Sequence, residues 1–139
     1  MMPIEVAKKR LKERGLKYTD KRKLILEVLA AEKKYLSARE IQEILEKTYP
    51  SISQDTIYRN LYLFSDLDIA ETTDLSGEQL FKLSCSTDGT HHHHFICTVC
   101  GTSIPFDMCP MTFLENQLEG CQITSHRFEV FGQCKNCLA

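Results

Sequence analysis

The first 84 residues contain no cysteine and no histidine, and residues 66–139 contain only three lysines or arginines. Nowhere does an apolar run approach the ~20 residues a membrane-spanning helix needs, so neither a transmembrane helix nor a membrane partner is expected. The stretch after Met1-Met2-Pro3 is charged and lacks the apolar segment of a secretory signal, so a reducing, cytoplasmic setting is expected. There is no glycine-rich phosphate loop and no nucleophile elbow. A hydrolytic active site, an enzyme and a small-molecule substrate are therefore not expected.

What is present is globular in kind: 139 residues, 42% hydrophobic and 26% charged, too apolar for general disorder and enough for one large domain or two small ones. Seven cysteines in a chain without an export signal point to metal or redox chemistry, not to a disulfide framework. The charge is divided. Residues 1–65 carry 14 Lys and Arg against 9 Asp and Glu, and residues 66–139 carry 3 against 10. A basic, ligand-free front and an acidic, ligand-rich back imply two regions with different partners, a polyanion for the first and a cation for the second.

Four helices are predicted in the front. Ile4, Ala7 and Leu11 follow helical spacing, and Gly15 closes that segment. Thr19 is placed to cap a second helix with an apolar stripe of Leu24, Ile25, Val28 and Leu29. Ser37 is placed to cap a third, in which Ile41, Ile44 and Leu45 turn inward ahead of Pro50. Ser53 is placed to cap a fourth, with Ile57, Leu61 and Phe64 at i, i+4 and i+7. Two strands over residues 69–73 and 79–83, joined by a turn over 74–78, complete a hairpin.

Helices followed by a hairpin fit a winged helix-turn-helix, in which the fourth helix enters the DNA major groove by its N-terminal part. Its outward face offers Gln54, Thr56, Tyr58 and Arg59. Arg59 suits a phosphate or a guanine edge, and Tyr58 offers a hydroxyl or an apolar face to thymine. Lys8, Lys9, Lys12, Lys17, Lys21, Arg22 and Lys23 supply charge toward a phosphate backbone. Tyr62 and Phe64 read as core or packing residues. The fold class is thus α+β: a winged-helix DNA-binding domain over residues 1–84, a hinge over 85–90, and a small α/β metal-binding domain over 91–139.

The back holds two Cys-x-x-Cys knuckles, Cys97/Cys100 and Cys134/Cys137, separated by 33 residues. Thiolates suit zinc, and a two-residue gap lets both sulfurs of a knuckle reach one tetrahedral ion at ~2.3 Å. A redox pair is the competing reading. It expects one such motif at a helix start in a thioredoxin-like pattern, whereas here two knuckles sit beside the β-like Phe95-Ile96 and Val130-Phe131. Just ahead runs His91-His92-His93-His94. If residues 91–97 form a strand, His91 and His93 face one way and His92 and His94 the other, giving two back-to-back chelates for different metals. Candidates to complete them are Glu71 on the wing, Cys85, Cys109 ahead of a helix predicted from Pro110 to Glu119, and His126 on a late strand with Phe128 and Val130. Cys121 reads as a small buried apolar residue.

These features together resemble the ferric uptake regulator superfamily of bacterial metalloregulators over nearly the full length. The resemblance rests on Gly15 with Thr19-x-x-Arg22, on Ser53-x-x-Thr56-x-Tyr58-Arg59-x-Leu61, on the histidine run leading to Cys97-x-x-Cys100-Gly101, and on His126 with Phe131-Gly132-x-Cys134-x-x-Cys137. It implies a homodimer whose winged helices bind a palindromic double-stranded DNA operator and whose C-terminal domains dimerise, with metal at the hinge holding the DNA-competent pose. The chain is most similar to the zinc uptake regulator branch. That likeness implies a structural zinc on Cys97, Cys100, Cys134 and Cys137. It implies a regulatory zinc on Glu71, Cys85, His92 and His94, and a secondary site on His91, His93, His126 and Cys109. The last of these stands where the family usually has Glu. Two to three Zn²⁺ per protomer follow, serving a repressor of zinc-uptake genes.

Iron and peroxide sensors of the superfamily are the alternative. They use harder ligands, including a histidine from the DNA-binding domain, whereas here the first histidine is His91. A thiolate at Cys85 favours zinc and would itself be oxidised beside peroxide chemistry. A thiol oxidoreductase or zinc-trafficking protein is the reading from another class, and it expects no sequence-specific DNA affinity.

Overall fold

The computed structural model describes residues 2–84, 93–106 and 111–139. The chain divides into two compact units, Met1–Asp88 and Gly89–Ala139. Among the described residues, no helix is long and apolar enough to cross a membrane.

The first unit runs α1 (Ile4–Glu13), α2 (Asp20–Glu32), β1 (Leu36–Ser37), α3 (Ala38–Leu45), α4 (Gln54–Asp66), β2 (Ala70–Leu75) and β3 (Glu78–Leu83). Each cap serine or threonine does what its chemistry suggests. Thr19, Ser37 and Ser53 accept from the backbone N–H groups of Arg22, Glu40 and Thr56, satisfying donors that a helix start leaves open. At α3 the cap is reciprocal, since Glu40 Oε1 accepts from Ser37 N at 3.1 Å. Helical spacing then sets the buried faces: Ala7 and Leu11 of α1, Ile25, Leu26 and Leu29 of α2, Ala38, Ile41 and Leu45 of α3, and Ile57, Leu61 and Phe64 of α4. They meet in one core with Ile69, Phe81 and Leu83 from the wing.

The wing is tighter than a turn over 74–78. Ser76 (φ 53°) and Gly77 (φ 82°) both take left-handed backbone, the signature of a two-residue turn that matches strand twist. Asp74, Leu75 and Glu78 consequently join the ladder, with Leu75 opposite Glu78. The sheet also gains a strand absent from the sequence pattern. β1 pairs antiparallel with β3, Leu36 opposite Phe81 and Ser37 opposite Leu80, so Ser37 ends a strand and caps a helix at once.

The second unit contains β4 (His93–Cys97), β5 (Ser103–Phe106), α5 (Met111–Glu115), β6 (Glu129–Gly132) and α6 (Lys135–Leu138). The sheet order is β5-β4-β6, with β5 antiparallel and β6 parallel to β4. Three expectations need correction here. The helix predicted through Glu119 stops at Glu115, after which Gln117 N and Leu118 N both bond to Leu114 O in a loosening last turn. Asn116 favours such an exit over a helix interior. His126 is not on a strand, because among the described residues β6 finds its partner in β4 only from the His94–Glu129 pair onward. Cys121 is exposed, not buried, lying after Gly120 in a stretch without ladder bonds.

Candidate metal centre and nucleic-acid face

Parallel pairing of β4 and β6 sets Cys97 opposite Gly132, so the two knuckles leave the same end of the sheet. Beyond Cys97 the chain turns, with Gly101 N bonded to Cys97 O at 3.0 Å. Gly101 takes φ +78°, a conformation that costs glycine no Cβ clash. Beyond β6, Cys134 is the residue preceding α6, and Cys137 lies one turn on, its N–H bonded to Cys134 O at 3.0 Å.

The four sulfurs gather within 4.8 Å of one another. Cys97 Sγ is 3.7 Å from Cys137 Sγ, and Cys100 Sγ is 3.8 Å from Cys134 Sγ. A tetrahedron with metal–sulfur bonds of ~2.3 Å has edges of about 3.8 Å, so the donor set fits zinc in both chemistry and spacing. Convergence of both knuckles on one point is also unlike two separate redox pairs.

The surroundings already favour ionised sulfur at part of the cluster. The backbone N–H groups of Cys100 and Cys134 pull Cys97 down to about 6. The Thr102 hydroxyl, 3.0 Å from Cys100 Sγ, lowers Cys100. Cys137 is pushed up to about 12, chiefly by its hydrogen bond with Cys134 and then by burial. A metal ion held by all four sulfurs would have to displace the protons this arrangement retains, so its affinity would rise with pH. Thr102 was missed in the sequence. Its position two residues past a ligand is the kind of signal that reveals a hydroxyl serving a thiolate.

Of the secondary set, His93 and His126 come together, with ring centroids 5.3 Å apart. His93 is buried, and its Nδ1 lies 3.0 Å from the Phe128 carbonyl. A carbonyl only accepts, so Nδ1 donates and Nε2 becomes the atom through which the ring would ligate. Phe106 and Phe128 flank the ring at 6.2 and 5.5 Å. His91 and Cys109 lie outside the described residues. Of the regulatory set, Glu71 is in β2 of the first unit and His94 in β4 of the second, where it is buried. Cys85 and His92 lie outside the described residues, as does the expected hinge over 85–90.

The DNA-facing candidates sit on and beside α4. Gln54 and Arg59 are exposed, and Arg59 Nε reaches Asp55 across one turn at 3.5 Å. Thr56 is partly engaged in the cap, its hydroxyl 3.0 Å from Ser53 Oγ. Tyr58 stacks on Tyr62 at 5.8 Å, and both meet Phe81 edge-on. Tyr62 is thus a packing residue at the surface and not part of the buried core. It is 47% exposed, and its hydroxyl bonds to Gln79 of the wing at 3.1 Å. Arg22 is engaged within the unit. Its Nε donates to Asn60 Oδ1 at 3.0 Å, and an η-nitrogen donates to Lys17 O at 2.7 Å. It thereby ties the start of α2 to α4, and Lys17 to both. Between these elements opens a groove of about 450 Å³ lined by Thr19, Lys21, Arg22, Arg59 and Asn60 with Leu16 and Leu63. Asn60 was missed in the sequence. It stands one residue past the outward-facing Arg59, and a polar group there signals a link to the neighbouring helix.

A basic groove beside an exposed helix end in one unit, and a four-cysteine cluster spaced to hold a metal ion in the other, define a winged-helix protein with a candidate metal-binding module. A profile of the ferric uptake regulator family matches residues 13–131, and the chain belongs to that family of metal-responsive transcription regulators. A ferric uptake regulation protein of Staphylococcus epidermidis (strain ATCC 12228) is 50% identical over 129 residues, spanning 91% of this chain and 90% of the relative. The crystal structure of the Vibrio cholerae ferric uptake regulator is 32% identical, with a TM-score of 0.68 over 92% of this chain and 99% of that one. A zinc uptake regulator complexed with zinc and DNA gives a TM-score of 0.72 over 95% of this chain and 90% of that chain. At 20% identity that likeness shows the fold alone.

Proposed function

We propose that this chain is a zinc-dependent transcriptional repressor that acts as a homodimer on a palindromic operator. In this reading Cys97, Cys100, Cys134 and Cys137 hold a structural zinc. The sensed zinc takes Glu71 from the wing together with Cys85, His92 and His94. His91, His93, Cys109 and His126 form a secondary site. When bound, the sensed ion supplies no reaction, only a link between ligands of the two units.

The observation that carries the reading is the segregation of chemistry along the chain. Residues 1–84 hold the exposed end of α4 and its basic groove but no imidazole or thiol. A sensing site that reaches residues 1–84 must therefore take a carboxylate from them and its thiol and imidazole ligands from residue 85 onward. An ion bound only when those ligands meet shifts the population toward that arrangement, and operator affinity follows by linkage. Full switching from 1:99 to 99:1 requires a differential affinity of about 10⁴-fold.

A second reading is favoured by one finding, the ferric name of the 50% identical relative: the same switch driven by iron. Operator binding titrated with Zn²⁺, Fe²⁺ and Mn²⁺ under anaerobic conditions separates the two. Tight binding with zinc at the lowest free concentration is expected. A response to Fe²⁺ with none to Zn²⁺ would replace zinc by iron, and operator binding indifferent to all three would remove the sensing role.

A further inference from the structure

Opposite Glu71 in the wing stands a lysine that hydrophobic patterning gives no reason to bury. β2 and β3 pair with Glu71 facing Lys82, so the two side chains leave the same side of the sheet. The Lys82 side chain is 7% exposed, and its Nζ lies 3.7 Å from Glu71 Oε2. It donates to the Leu83 carbonyl at 3.2 Å and stands 5.9 Å from the centre of the Tyr35 ring. Lysine is almost never fully buried without a partner, and an ammonium withdrawn from water needs a counter-charge. Glu71 supplies that charge. A carbonyl and an aromatic face add weaker support.

We propose that Lys82 is a built-in competitor for the sensed ion and sets the metal concentration at which the protein responds. This rests on the reading of Glu71 as a ligand. In the metal-free protein the Lys82 ammonium occupies the Glu71 carboxylate. Capture of a divalent ion by Glu71 is then an exchange of one cation for another in a confined place, not the filling of an idle ligand. The ion must displace the ammonium and then tolerate a like charge beside it, so affinity is held below what the bare ligand set would give. A positive charge at residue 82 thereby tunes the threshold without touching the metal. Lys82 is a positioning residue, and its charge, not its shape, carries the effect.

The test is operator binding by the full-length protein to a labelled palindromic duplex, with free zinc set by a chelator buffer. Wild type is compared with Lys82→Met, Lys82→Gln, Lys82→Arg and Glu71→Gln. The two neutral variants are expected to reach half-maximal binding at about tenfold lower free zinc, equivalent to 1.4 kcal/mol, while Lys82→Arg stays near wild type. Chelator competition for zinc without DNA is expected to move in the same direction. A merely structural lysine would instead lower the melting temperature and weaken binding at every zinc level with an unmoved midpoint, which overturns the proposal. An unchanged or raised midpoint in neutral variants that melt like wild type overturns it as well. Should both neutral variants fail to fold, the Lys82 Nζ resonance of the labelled wild-type protein decides. It is expected to shift when zinc is added beyond the four-cysteine site, and a stationary resonance overturns the competitor role. A Glu71→Gln variant with intact zinc response would remove Glu71 as a ligand, and the competitor with it. Lost response in Glu71→Gln alongside an unmoved midpoint in Lys82→Met removes the competitor alone.

Discussion

The two units hold themselves together by different means. In the first, large apolar side chains such as Leu26, Ile41, Leu61, Phe64 and Phe81 are completely buried in one cluster. In the second, the buried apolar side chains among the described residues are Ile96, Cys97 and Cys134, while Ile104, Phe113, Phe131 and Leu138 are exposed. A unit this small with so little core needs a staple, and the four-cysteine cluster is placed to be one. Its exposed apolar side chains are the kind of surface that a subunit contact covers. The first unit thus rests on side-chain packing, and the second would rest on coordination by its four cysteines, so each is open to attack by a different chemistry.

The largest expected effect comes from removing the staple. Binding a structural zinc is worth roughly 10–16 kcal/mol in small zinc modules, more than a unit with this core can forgo. Cys97→Ser, or zinc stripping by a strong chelator, is expected to erase amide-exchange protection across β4, β5 and β6 and to abolish the dimer. Protection in α1–α4 is expected to survive. Retained protection in β4–β6 would show that the second unit packs well enough without metal. The converse attack is Phe64→Ala, which opens a cavity in the helical core. It should cost about 3–5 kcal/mol, measured by denaturant unfolding of the first unit, with the zinc content unchanged.

Smaller effects sharpen the contrast within the first unit. Arg59→Ala is expected to weaken operator binding by about 1–3 kcal/mol, read by fluorescence anisotropy at fixed salt. Melting should not change, because the Arg59–Asp55 pair is exposed on both sides and such pairs contribute little. Ser37→Ala removes the reciprocal cap of α3 and should cost about 1 kcal/mol, with operator binding at saturating zinc preserved. A loss of affinity larger than that would mean that α3 transmits strain to α4.

What could be read directly from the sequence was what local chemistry decides. Thr19, Ser37 and Ser53 announce helix starts because a side-chain oxygen satisfies an open N–H within three residues, and each does so. The two knuckles announce a shared ion because sulfur at two-residue spacing has few other uses, and the sulfurs converge. What failed was whatever depends on a distant partner. β1 exists because β3 lies beside it. β6 begins at Glu129 and excludes His126 because that is where β4 offers a partner. Cys121 is exposed because, among the described residues, nothing covers it, a fact no pattern around residue 121 contains. Lys82 shows the intermediate case. Strand alternation sets only which face of β3 it leaves, and the register alone reveals that its charge meets the candidate ligand Glu71.

The most direct measurement is operator affinity for protein whose zinc is confined to the four-cysteine site, repeated as further zinc is added under anaerobic conditions. The expected result is a folded dimer with weak operator binding that tightens by orders of magnitude as the added zinc is taken up. Full affinity before any further zinc binds would contradict the claim that an ion joining ligands of the two units governs DNA binding.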